Sequence, residues 1–151
     1  MKYIWWILLI FFAFLLQSRV SIIGVSPNLT VLIVYLIGIR YGRTKGLFSG
    51  VLIGALQDSL SSAMLGPNML AKGMVGFFSA SFISGHFLIW TPVLGVIAAA
   101  FLTFADNAVV FLCLSLFDRL PAHFSTALLT SIMQSLMNAP AGIFMRPKNA
   151  D

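Results

Sequence analysis

Polar positions are sparse along this chain, and they act as punctuation. Apolar runs cover about residues 3–16, 27–39, 46–56, 67–85, 92–117 and 124–144. Short polar connections separate them at 17–26, 40–45, 57–62, 86–91 and 118–121. Runs near the roughly 20 apolar residues that carry a helix across a bilayer predict six transmembrane helices with both termini on one side. Pro27 suits a first helical turn, Pro67 and Pro92 open the fourth and fifth runs, and Pro140 predicts a kink in the sixth. The second run is short, so either the segment from Ile22 extends it or the helix is partly re-entrant. The third run is shorter still and weakly bounded.

Composition strengthens the membrane reading. Of 151 residues, 60% are hydrophobic and 9% charged, with a mean hydropathy of +1.00. Soluble domains carry about 25% charge. Glu is absent, so too little polar material exists to clothe a water-soluble core of this length. The expected fold is an all-α integral membrane protein, one polytopic domain over 1–151, built as a compact bundle of about six helices. The net charge of +5 does not imply nucleic acid, because the basic residues sit at the ends of apolar runs and form no stripe. Lys2, Arg40, Arg43, Lys45, Arg146 and Lys148 fall on one side, and Arg19 and Arg119 on the other. By the positive-inside bias, Arg40, Arg43 and Lys45 form a cytoplasmic basic loop and both termini are cytoplasmic. The first run resembles a signal peptide but lacks a small-x-small cleavage site, so it reads as an uncleaved span with Tyr3, Trp5 and Trp6 as an interfacial belt. Cys113 is a small apolar residue with no internal disulfide to make.

Chemistry concentrates in few residues. Gly46, Gly50 and Gly54 lie on one side of the third helix, where small residues let two backbones approach, within this chain or between chains. Asp58 and Lys72 sit toward the outer ends of the third and fourth helices and are placed to meet each other, to reach the interface or to contact a partner. Asp106 falls near the middle of the fifth helix beside Asn107, where a carboxylate must be protonated or paired. Lys72 is the one intramembrane cation the sequence offers it. His86 and His123 lie at helix ends without metal-ligand spacing. No nucleophile elbow, P-loop or dinucleotide fingerprint occurs, and no metal or cofactor is expected.

The stretch from about residue 26 to 77 resembles the MreD family of bacterial rod-shape-determining membrane proteins. Pro27-Asn28 heads an apolar run ending in Tyr35, a basic loop follows, then Gly50-x-x-x-Gly54-x-x-x-Asp58, Leu65-Gly66 and Ala71. Asp106 and Pro140 have rough counterparts, whereas Lys72 departs from the family pattern. The resemblance implies a non-enzymatic inner-membrane scaffold of the cell-elongation and peptidoglycan-synthesis machinery. Such a scaffold docks MreC, a single-span coiled-coil protein, and lies near MreB filaments, RodA and a penicillin-binding transpeptidase. The family's six-helix layout is itself similar to the S components of energy-coupling-factor vitamin transporters. A small-molecule-binding subunit, with a ligand near Asp106 and Lys72, is therefore the alternative, and a proton or ion path is a third.

Overall fold

The computed structural model describes residues 2–19, 21, 24–61, 64–81, 91–117 and 123–146. Among them the fold is all-helical, with six α-helices: α1 (Lys2–Arg19), α2 (Leu29–Tyr41), α3 (Arg43–Leu60), α4 (Pro67–Ser79), α5 (Pro92–Leu116) and α6 (Phe124–Asn138). A 3-10 helix, Ala139–Phe144, continues α6. The connections holding His86 and Trp90 and holding Asp118, Arg119 and Pro121 lie outside the described residues, as do Lys148 and the side chains of Lys2, Tyr3, Trp5 and Trp6.

Helix α2 is the centre. Thr30 to Tyr35 are buried in succession, which buries the helix on every side, and it packs against α1, α3, α4 and α5. A helix that is apolar all round is one that others surround. Ala13, Ile53, Val75, Ala98, Ala99, Leu102 and Met145 close the core around it. The helix starts at Leu29, so Pro27 lies ahead of the first turn and not within it. Residues 24–28 are non-helical, with Val25 and Asn28 buried.

The expected basic loop at 40–45 is not a loop. Helix α2 runs to Tyr41, α3 begins at Arg43, and Gly42 alone turns the chain at φ 93°. That left-handed conformation is open to glycine and strained for a residue with a Cβ. Arg40 therefore belongs to the last turn of α2, and Arg43 and Lys45 to the first turn of α3. Helix α3 is also longer than its apolar run, because Gln57 and Asp58 continue it to Leu60.

Helices α3 and α4 form the tightest pair. A Cβ on Gly46 would collide with the Gly76 carbonyl, one on Gly50 with the Lys72 carbonyl, and one on Gly54 with the Asn68 carbonyl. The two four-residue steps run in opposite directions along the two helices, so the hairpin is antiparallel and its backbones touch. The glycines thus pack within the chain. Gly38 of α2 meets the same end, where a Cβ would strike Ser79 Oγ.

Helix α5 is capped by Thr91, whose hydroxyl accepts from Leu94 N at 3.1 Å, with Pro92 at the first turn. Pro140 changes the helix type instead of kinking it. Proline cannot donate to the residue four back and its ring crowds that carbonyl. The α-helical ladder stops at Asn138, and the chain goes on as the 3-10 helix, with Gly142 packed onto the backbone of Gly95.

Polarity is inverted across the bundle. On α3, Gly46, Gly50, Gly54 and Asp58 are buried, while Phe48, Leu52, Leu56 and Leu60 form an exposed stripe half a turn away. Similar outward faces carry Leu8, Phe11, Phe12 and Leu15 on α1, Val93, Ile97, Phe101 and Phe104 on α5, and Leu128, Leu129, Ile132 and Leu136 on α6.

Candidate functional site

Most of the buried polar residues join a network, while Ser79 and Ser135 donate to carbonyls of their own helices. The network's first part closes the α3–α4 hairpin. Asp58, at the end of α3, is 2% exposed. Its Oδ2 accepts from Gly66 N at 2.9 Å and Met69 N at 3.2 Å, and its Oδ1 from Asn68 N at 3.2 Å and Asn68 Nδ2 at 2.8 Å. The first N–H groups of a helix have no partners inside it and carry the positive end of its dipole. Asp58 supplies both acceptor and charge, and so clasps the start of α4. Gly66, at φ 130°, provides the turn that aims its N–H at the carboxylate.

Asp58 and Lys72 do not meet, and Lys72 does not reach the interface; of the partners the sequence allows it, Lys72 takes Asp106. Lys72 is fully buried, and its ammonium lies 3.2 Å from Asp106 Oδ2. It also donates to Asn68 Oδ1 at 3.2 Å. Asn68 is thus the link between the clasp and the ion pair. Asp106 lies fourteen residues into α5, about 21 Å from its start and about 15 Å from its end at 1.5 Å per residue. The pair forms because Lys72 follows Asn68 by one turn on the face of α4 that also meets α5.

The second part is built on amides. Asn28 Nδ2 donates to Asp106 Oδ2 at 2.9 Å, and Asn28 Oδ1 accepts from the Thr30 hydroxyl at 2.8 Å. Thr30 Oγ1 also lies 3.1 Å from Gln57 Oε1 of α3. From the other side, Asn138 Nδ2 donates to the Asn28 carbonyl at 2.8 Å and to Thr103 Oγ1 at 3.1 Å. Gln134 Nε2 donates to the Ser26 carbonyl at 2.8 Å, and its Oε1 accepts from Asn107 Nδ2 at 2.9 Å. Two side chains of α6 therefore satisfy backbone carbonyls of the irregular segment 24–28. A buried carbonyl left unpaired costs free energy comparable to a lost hydrogen bond. This explains how a non-helical stretch lies inside the bundle. Asp106 Oδ1, Asn138 Oδ1 and Tyr35 Oη are buried without a hydrogen-bond partner.

Of the residues singled out in the sequence, Asn28, Asp58, Gly66, Lys72, Asp106 and Asn107 join this network, and Gly46, Gly50 and Gly54 hold its two carrying helices together. Leu65 is exposed at the turn, Pro27 and Pro140 set element boundaries, and Arg40, Arg43 and Lys45 lie at the far end of the hairpin. The sequence reading missed Thr30, Gln57, Asn68, Thr103, Gln134 and Asn138. A signal for most of them was present: an amide inside or bordering an apolar run needs a partner wherever water is excluded.

No group of three or more metal-ligating side chains occurs among the described residues. Comparison of the chain with protein-family models, curated proteins and solved structures returns no match. What fold and site define together is a helical bundle with a polar network inside its apolar core and an apolar exterior.

Proposed function

We propose that this chain is a multi-pass protein of the bacterial inner membrane, with both termini cytoplasmic, acting as a non-enzymatic scaffold of the cell-elongation machinery. The observation that carries the membrane reading is the inverted polarity. Lys72 and Asp106 are 0% and 1% exposed, while Leu52 and Phe124 are 67% and 66% exposed. Water-soluble monomers rarely present contiguous apolar surface of this extent. In lipid the arrangement is the favourable one, since ionisable groups there face the bundle interior and pair.

Among the described residues one helix, α5, is long and apolar enough to cross a membrane by itself. At 1.5 Å per residue α2 spans about 20 Å, and the non-helical residues 24–28 precede it. Irregular backbone at membrane depth is tolerated where its polar groups are satisfied within the protein, and Gln134 and Asn138 satisfy the Ser26 and Asn28 carbonyls.

The scaffold reading rests on the resemblance over residues 26–77 and on the interior groups being engaged with one another. Asp58 holds α4, Asp106 holds Lys72, and the glycines hold the hairpin, which leaves the outward faces for partner helices. A single-span coiled-coil protein of the MreC type is the expected partner, with MreB filaments, RodA and a penicillin-binding transpeptidase nearby. Two measurements test this. The chain should stay in the membrane pellet after alkaline carbonate extraction, and release would refute membrane integration. Affinity purification in mild detergent should recover a single-span coiled-coil protein; repeated recovery of the folded chain alone would refute the scaffold.

A further inference from the structure

We propose that the groove between α1 and α2 binds an anionic phospholipid, with an acyl chain along Leu8, Phe12 and Leu36 and the phosphate on Arg40. The proposal rests on the membrane reading above. The groove encloses about 570 Å³ and is lined by apolar side chains except at one end, where Arg40 enters it. Arg40 is exposed in the last turn of α2 and makes no hydrogen bond or ion pair among the described residues.

Its two basic neighbours are engaged differently. The Arg43 guanidinium lies 5.9 Å from the centre of the Phe77 ring, and the Lys45 ammonium 5.7 Å from that of Tyr41. The chain cannot readily supply a counterion, because it has four acids in all. Asp58 and Asp106 are buried and committed to the interior, and the other two lie outside the described residues. Helix α3 starts one residue beyond α2, and Gly42 offers no side chain to cap it, which leaves its positive N-terminus at the same end. The ligand chemistry is therefore an anion joined to a long apolar chain. In a bilayer that description selects an anionic phospholipid over a zwitterionic one, and basic residues at the cytoplasmic surface attract such headgroups.

The test is native mass spectrometry of the full chain released from detergent micelles, titrated with phosphatidylglycerol or with phosphatidylcholine of the same acyl chains. The expected result is a first bound phosphatidylglycerol held at least about fivefold tighter than phosphatidylcholine, the factor one basic residue near an anionic surface contributes. Arg40→Gln removes that preference, Lys45→Gln keeps it, and Leu36→Trp, which fills the groove, weakens both lipids. Equal binding of the two lipids by the parent chain, or an unchanged preference in Arg40→Gln, overturns the site while membrane extraction stands. A partner protein cross-linking to Leu36→Cys in place of lipid also overturns it. A chain that behaves as soluble in the carbonate experiment removes the underlying reading instead, so the two failures are separate.

Discussion

Replacing Lys72 by Met is the sharpest perturbation the structure offers. The side-chain volumes are similar, so the change removes a charge and its donors without opening a large cavity. At 3.2 Å and an effective dielectric near 20, the attraction to Asp106 is about 5 kcal/mol before desolvation is counted. What decides the outcome is the carboxylate left behind. Asp106 is 1% exposed and would keep only the Asn28 amide as a donor. Breaking a buried pair from one side destabilises by about 3–5 kcal/mol, whereas removing both charges is far milder. Lys72→Met should therefore lower stability by that amount, and Asp106→Asn, which leaves the ammonium unpaired, by a comparable one. The double variant should recover most of the loss, because Asn at 106 still accepts from Asn28, and the coupling should exceed about 2 kcal/mol. Reversible unfolding in mixed micelles, followed by circular dichroism, measures all four corners of the cycle. A Lys72→Met cost within about 0.5 kcal/mol of zero, or a double variant equal to the sum of the singles, would refute the account.

Four further outcomes follow from the hairpin. Gly50→Ala presses a methyl group onto the Lys72 carbonyl, a backbone atom that cannot rotate away, and should cost about 1–3 kcal/mol in the same assay. Leu52→Ala, on the exposed stripe of the same helix, should be nearly neutral there, and an equal cost would contradict the assignment of faces. Asp58→Ala removes every acceptor at the start of α4 and should cost about 1–2 kcal/mol, with Asp58→Asn losing less; hydrogen exchange should show the first turn of α4 opening. Reporter fusions after Tyr41 and after Leu65 should report opposite sides of the membrane, and the same side for both would break the proposed topology.

Much of the bundle is legible in the sequence because apolar length and proline position act locally. The fifth span, Pro92 to Phe117, differs from α5 by one residue at its end. The four-residue glycine spacing marks a packing face because a missing Cβ matters only where another backbone approaches. The failures share a cause. Polarity ends the third apolar run at Leu56, yet α3 continues through Gln57 and Asp58 to Leu60, and the carboxylate meets four N–H donors at α4. Polarity likewise suggests a loop from Arg40 to Lys45, yet one left-handed glycine makes the turn. For Lys72 the sequence leaves two acids open, Asp58 and Asp106. Depth along the helices decides between them, since Asp58 lies at the hairpin's end and Asp106 faces Lys72 from α5. Partners 34 residues apart are fixed by packing, which the order of residues does not contain.

The reach of the polar network also says which helix is held least. It draws on Asn28 and Thr30 beside and within α2, Gln57 and Asp58 of α3, Asn68 and Lys72 of α4, Thr103, Asp106 and Asn107 of α5, and Gln134 and Asn138 of α6. Helix α1 contributes no member among its described side chains, and Gln17 Oε1 is buried there without a partner. It rests chiefly on α2 through apolar contact. In lipid such contact adds little, because acyl chains are as apolar as leucine and association depends on close packing and hydrogen bonds. Among its described side chains, Ala13 is the one small buried residue α1 brings to the core. Hydrogen exchange in detergent should therefore show α1 amides opening at a lower free energy than those of α2 to α5, which open with the whole bundle. Protection of α1 equal to that of α2 would mean that apolar packing alone holds a helix here as firmly as the buried network, and the ranking of forces argued for this fold would fail.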